Sequence, residues 1–337
     1  MKKVLSGAMI YGLIVTCIVL GTFTLSFSEQ KIPSMPGSQT YVTLIVPTPP
    51  GGGFDTAARL FAPYLRKYLN KNVVVKNMPG AQWNTAINYV NKAKPDGYTI
   101  GILNLPGNLL NQVIGKAPFD LTKIQWIGRI IEDPEVGALS PKSKFRTLND
   151  LKKAPVVKIA IGNVLTNVAL VGAMSLKQFG VLKTVPVNHP GSSEAVLSAL
   201  RGDVDFVVFP LSSLKQYIID SKELTPVVFY YPKRLPELPN VPTAGELGYP
   251  ELLDIGVLHR VIGTTPGTPA ATVEILRRAF WQAANDPKFK AEMEKSSGFP
   301  VHPANGKDTE KLANRMAELV MKYEPLMNEV YGRIMTR

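Results

Sequence analysis

The stretch Val42-Thr43-Leu44-Ile45-Val46-Pro47-Thr48-Pro49-Pro50-Gly51-Gly52-Gly53-Phe54-Asp55 carries the reading of the fold. Val42 to Val46 is a short apolar run bounded by prolines and reads as a buried strand. From Asp55 to Leu69, residues Ala58, Phe61, Leu65 and Leu69 share one face, which reads as a helix. Pro63 inside it predicts a kink or a restart. Between strand and helix stand three glycines. Backbone without Cβ atoms brings N–H groups close to a ligand, and a helix N-terminus behind it favours negative charge. The loop reads either as an anion cradle or as a tight turn capped by Asp55. It lacks the Gly-Lys-Ser/Thr of a phosphate loop, and it is not Gly-x-Gly-x-x-Gly.

The same strand-loop-helix order continues outward. Asn72 to Lys76 and Tyr98 to Leu103 read as strands and Thr85 to Ala93 as the helix between them. This βαβαβ series predicts a parallel sheet with ligands at the carboxyl ends of its strands. A second series follows, with strands at Val156–Ile161, Thr184–Val187, Val204–Phe209 and Thr225–Tyr230 and helices at Val168–Phe179 and Glu194–Arg201. Thr147 to Asp150 reads as a capping box. After a proline-rich connector from Pro232 to Pro250, Ile255 to Thr264 reads as a strand and Pro269 opens a long helix. A terminal helical region from Asp308 to Ile334 is expected to break near Pro325. The chain thus reads as two α/β lobes.

Gly162-Asn163-Val164-Leu165-Thr166-Asn167 is the second lobe's counterpart of the glycine loop, with neutral donors and a plain capping role as the alternative. Two such loops facing one cleft would clamp a dicarboxylate at both ends. Asn77-Met78-Pro79-Gly80-Ala81-Gln82-Trp83 is a third strand-to-helix loop, and Trp83 there either walls a pocket or simply packs. His189 also follows a strand. Arg260 either pairs with a ligand carboxylate in bidentate fashion or forms an ordinary ion pair.

The 337 residues carry 38 Lys+Arg against 26 Asp+Glu, a formal charge of +12, yet only 19% are charged and 45% hydrophobic. That excludes a disordered chain. The basic excess reads either as a partner of nucleic acid, an acidic membrane or small anions, or simply as a soluble surface. Lys2 and Lys3, an apolar run from Val4 to Phe27 and Ser26-Phe27-Ser28 predict a signal peptide over residues 1–28, or an uncleaved anchor. Cleavage removes Cys17, the single cysteine, and lowers the charge from +12 to +10. Export argues against a nucleic-acid partner. His189, His259 and His302 lie far apart, so no metal-binding spacing exists and no cofactor is expected. No Gly-x-Ser-x-Gly, His-Glu-x-x-His or nucleophilic cysteine marks an enzyme.

Several pieces, in order, resemble one family. They are Pro47 to Pro50 with Gly51-Gly52 and Asp55, then Ala58-Arg59, Asn77 with Pro79-Gly80-Ala81, and Pro95-Asp96-Gly97-Tyr98-Thr99. Further on come Gly202-Asp203-Val204-Asp205, Leu238-Pro239-Asn240-Val241-Pro242-Thr243 with Glu246 and Gly248, and Pro266-Gly267-Thr268-Pro269. The chain resembles the extracytoplasmic solute receptors of tripartite tricarboxylate transporters, the Bug family, from about Val42 to Pro300. The resemblance implies a two-lobed type II periplasmic binding protein, or Venus flytrap. Residues 29–137 and 255–337 would form lobe 1 and residues 138–254 lobe 2. It implies a periplasmic monomer that binds a small mono- or dicarboxylate and delivers it to membrane permease subunits. A sensor kinase partner, or a hydrolase using the same cleft, is the alternative.

By that resemblance Thr48, Pro50, Gly51, Gly52, Gly53, Phe54 and Asp55 form the first grip, and Gly162, Asn163, Thr166 and Asn167 the second. Ala81, Gln82, Trp83 and His189 fall on pocket loops. The family's usual pair of glycines after Pro-Gly-Ala is replaced here by Gln82 and Trp83. Its usual Pro-Tyr-Lys-Gly is here Asn188-His189-Pro190-Gly191. These departures predict a bulkier, more apolar pocket, suited to an unusual and even an aromatic acid.

Overall fold

The computed structural model of the protein describes residues 32–51, 53–115, 117–152, 154–161, 166–189, 191–298 and 300–335, with the side chains of residues 82 and 331–335 left aside. The expected leader at residues 1–28, Cys17, Gly52, Gly162 and Asn163 lie outside them.

Strand β1 (Tyr41–Val46) is buried on both faces, with Val42, Leu44, Ile45 and Val46 wholly inaccessible. Helix α1 (Gly53–Leu69) follows, then β2 (Asn72–Asn77), a 3-10 turn at Ala81–Trp83, α2 (Asn84–Lys92), β3 (Thr99–Leu105) and α3 (Gly107–Val113). Pro63 does not divide α1. A mid-helix proline costs about 3 kcal/mol, but Phe61 on the adjoining turn is clamped between Phe280 and Phe289, each at 5.2 Å. That buried contact favours keeping the helix whole. The terminal helix likewise runs through Pro325 without the expected break.

Strand β4 (Gln125–Leu139) is the longest among the described residues and is not foreshadowed by any local pattern. Its first part pairs with β9 (Val257–Thr264) as far as Pro134, opposite Val257. From Glu135 onward it pairs instead with β7 (Phe206–Pro210) and β8 (Thr225–Phe229). Asp133, Pro134 and Glu135 look like a turn in sequence. They mark the point where the strand exchanges β9 for β7 and β8 as its neighbours.

The second lobe adds α4 (Leu148–Leu151), β5 (Val157–Ile161), α5 (Asn167–Gln178), β6 (Thr184–Asn188), α6 (Ser192–Arg201) and α7 (Leu211–Lys215), with α8 (Glu251–Ile255) leading back into β9. The expected capping box is present at α4, where Asp150 and Thr147 bond reciprocally. Helix α6 ends at Gly202, whose φ of +88° suits glycine. Helix α5 is buried almost all round, between the sheet and the terminal helix. Helices α9 (Ala270–Ala284) and α10 (Pro287–Ser297), strand β10 (Ala304–Asn305) and α11 (Gly306–Met335) close the chain.

The strand order is β2-β1-β3-β9-β4-β7-β5-β6, with β8 and β10 pairing β4 off this path. Strands β2-β1-β3 and β6-β5-β7 are parallel, as the βαβ units predict. Strands β9 and β4 between them run antiparallel to their neighbours, so the expected parallel sheet is in fact mixed. The cause is β9, which returns from the second lobe after the proline-rich connector and inserts between β3 and β4.

Candidate functional site

The carboxyl ends of the parallel strands from both lobes open onto one cavity of about 280 Å³. Helix α1 enters it with Gly53 and Phe54, α5 with Thr166 and Asn167, and α6 with Gly191 and Ser192. Each helix N-terminus carries orphan N–H groups and about half a positive charge. Thr166 caps α5 by accepting from Ala169 N, 3.3 Å away. Gly191 offers α6 no side-chain cap. The described residues contain no group of three or more His, Cys, Asp and Glu that could hold a metal ion.

The loop before α1 is held from within. Gly51, at φ +87°, donates its N–H to Asp55 Oδ2 at 2.8 Å. Arg59 Nε donates to the same oxygen at 2.9 Å, and Asn77 Nδ2 to Oδ1 at 2.9 Å. Burial pushes the Asp55 carboxyl up, but Arg59, the Gly51 amide and Asn77 outweigh it and hold it below the usual carboxylate range. Asn77 Nδ2 also donates to the Thr48 carbonyl at 2.9 Å. Asp55 therefore braces the loop, and its carboxylate stays ionised.

A buried polar chain lies behind the cavity wall. Asp133 is fully inaccessible and accepts from Arg260 Nη1 at 3.0 Å and from Ser212 Oγ at 2.5 Å and N at 3.2 Å. Two residues along β4, Glu135 accepts from Asn167 Nδ2. Asn167 Oδ1 in turn accepts from Asn104 Nδ2 at 3.3 Å. Asn104 stands on β3 in the first lobe and Asn167 on α5 in the second, so this bond crosses the cleft. Complete burial, followed by the nearby Asp133 carboxylate, pushes Glu135 well above its ordinary value of 4.5; the Asn167 bond opposes this only in part.

Aromatic rings form another wall. The Phe54 and Trp83 rings sit 5.1 Å apart, inclined at 60°, and the Arg260 guanidinium lies 5.1 Å from the Phe54 ring centre. Trp83 has φ +75° and Ala81 φ +45°. L-residues avoid this region, at a cost on the order of 1 kcal/mol each.

Of the residues expected from sequence, Gly53, Phe54, Trp83, Thr166 and Asn167 line the cavity. Gly51 lines a neighbouring hollow. Thr48, Pro50, Asp55, Ala81 and His189 do not line the cavity. His189 is nine-tenths buried and its N–H donates to Ile161 O at 2.9 Å, tying the loop after β6 to β5. Gly52, Gly162, Asn163 and the Gln82 side chain lie outside the described residues. Arg260 forms the ordinary ion pair, with Asp133, and lines the cavity as well. Asn104, Ser212, Phe209 and Leu258 were missed. Asn104-Leu105-Pro106-Gly107 has the same strand-to-helix grammar as the glycine loop and could have been found. Leu258 sits mid-strand and carried no signal.

A family model described as "Tripartite tricarboxylate transporter family receptor" matches residues 57–330. Protein BugT of Bordetella pertussis is 30% identical over 224 residues, spanning 63% of this chain and 67% of that protein. Among solved structures, the periplasmic binding protein BugD superposes with a TM-score of 0.69 at 24% identity, covering 83% of this chain and 96% of that one. R. palustris Rpa4515 with adipate gives a TM-score of 0.73 at 21% identity, over 86% of this chain and 97% of that one. The fold is thus that of a two-lobed periplasmic binding protein.

Proposed function

We propose, for a chain that belongs to the tripartite tricarboxylate transporter receptor family, that it captures a small organic carboxylate in the cavity between its lobes and hands it to membrane permease subunits. Members of this family are solute-binding receptors of the periplasm, not enzymes. The leader-like segment at residues 1–28 would direct export and be removed. The observation that carries the reading is the meeting of the N-termini of α1, α5 and α6, from both lobes, at one small cavity. A carboxylate there exchanges its water for fixed N–H donors in a medium where charge interactions are strong. The adipate held by Rpa4515 supports an acid of this size.

Binding needs no bond to be made or broken. The Asn104–Asn167 bond joins β3 to α5 across the cavity and would have to break if the cavity opened there. An acid touching both lobes favours a closed arrangement over an open one, by as much as it prefers the closed state. Closure then presents a changed surface to the permease. The test is a thermal-shift and calorimetric titration of the purified protein with small acids and with their primary amides. Acids should raise Tm in a concentration-dependent way and amides should not. Failure of every acid, or equal stabilisation by the amides, would contradict the reading.

A further inference from the structure

Arg260 is the only ionisable side chain lining the cavity among the described residues. It is 6% exposed, and Nη1 is committed to Asp133. Nε is buried without a hydrogen-bond partner. A Cβ on Gly53 would stand 2.9 Å from Arg260 Nη2, so the guanidinium lies directly against the first residue of α1. Gly53, Ser192, Ser212, Ser213 and Arg260 line both this cavity and the adjoining hollow of about 370 Å³. They therefore cluster at one end. That end carries the single cation, two helix N-termini and three hydroxyls.

The rest of the cavity is different. Trp83, Phe54, Val168, Phe209 and Leu258 face it, with neutral amides from Asn104 and Asn167. Among the described residues it holds no second cation. At the N-terminus of α5 here, the Ala169 amide is taken up by Thr166. Asp133 and Glu135, both buried, stand one side chain behind the wall, against Arg260 and Asn167. Trp83 reaches its place beside Phe54 through a left-handed backbone conformation that glycine would adopt freely. Such strain persists only where the surroundings enforce it. At about 280 Å³ the cavity is at the small end of ligand pockets.

Building on the carboxylate reading, we infer that Arg260 is the specificity-determining residue, and that the receptor selects small monocarboxylic acids with an apolar body, one ring or a short branched chain. The guanidinium, shared with Asp133, takes the acid's only carboxylate beside the N-termini of α1 and α6. The body lies against Trp83, Phe54 and Leu258. Among the described residues a second carboxylate would meet neutral groups and an apolar wall.

The experiment is calorimetric titration with benzoate, phenylacetate and 3-methylbutanoate against adipate and succinate, using wild type, R260Q, R260K and the paired variant D133N/R260Q. Wild type should bind at least one of the monocarboxylates ten-fold or more tighter than either diacid. R260Q should lose ten-fold or more in affinity for that acid. R260K should fall between them, because one ammonium cannot serve Asp133 and a ligand in the same fork geometry. Should R260Q fail to fold with Asp133 left unpaired, D133N/R260Q removes both charges and must show the same loss. Diacids binding more tightly than the monocarboxylates, or an unchanged preference in R260Q or D133N/R260Q, overturns the inference while leaving the carboxylate reading standing. No binding of either class overturns both.

Discussion

Glu135→Gln should change how stability depends on pH. Glu135 is wholly buried on β4 beside Asp133, and its carboxyl titrates well above 4.5 in the folded chain. The folded protein therefore holds a proton that the unfolded chain has released. The stabilisation is full below 4.5 and is lost as pH rises toward the folded value, beyond which it levels off. Across that window wild type should lose about 1.4 kcal/mol per pH unit through this one group. Gln keeps the acceptor for Asn167 Nδ2 and cannot ionise. It adds buried N–H donors, which cost about 1–3 kcal/mol if unpaired, but that cost is constant in pH.

The assay is urea unfolding from about pH 4 to about pH 8, followed by the three tryptophans. The variant's advantage over wild type should grow with pH through the window by about 1.4 kcal/mol per unit. Parallel curves for the two proteins across the whole range would refute the reasoning, because Glu135 would then be ionised in both states.

Trp83→Gly removes a part-buried ring that packs against both apolar cores, and that loss outweighs the relief of about 1 kcal/mol of backbone strain; it should cost about 1–3 kcal/mol in urea unfolding, and calorimetry should show affinity for ring-bearing acids falling about ten-fold. Gly202→Ala places a Cβ 2.9 Å from that of Lys142 at a φ of +88°. It should cost about 1–2 kcal/mol in urea unfolding and leave acid binding unchanged. Asp286 caps α10 and accepts from Lys67 and Tyr68, each at 2.9 Å. Asp286→Ala should cost about 2–3 kcal/mol at neutral pH. The deficit should shrink as acid protonates the wild-type carboxyl, whose pKa the Lys67 bond, outweighing burial, holds below 3.8.

The parallel units were legible because each sits within a few residues of itself. β1, α1 and the loop between them follow from apolar spacing and glycine. β4 was illegible because Asp133-Pro134-Glu135 reads locally as a turn. Its acids acquire partners only across the fold, Asp133 through Arg260 and Ser212, 127 and 79 positions away, and Glu135 through Asn167, 32 positions away. In the site, the strand-to-helix loops announced Gly53, Phe54 and Thr166. The internal bracing by Asp55, which occupies the Gly51 amide, needed the position of Asn77. The Trp83 ring was visible as a departure from a glycine pattern, but the positive φ that aims it was not. Whether Arg260 served an ion pair or a pocket was left open by sequence, and the fold gives it both places.

An acid's carboxylate should sit where the N-termini of α1 and α6 meet Arg260. A structure of the protein saturated with whichever acid stabilises it most tests this directly. Both carboxylate oxygens should lie within about 3 Å of Arg260 or of backbone N–H groups at Gly53 or Ser192, enclosed between the lobes. An acid bound elsewhere, with this cavity holding only water, would contradict it.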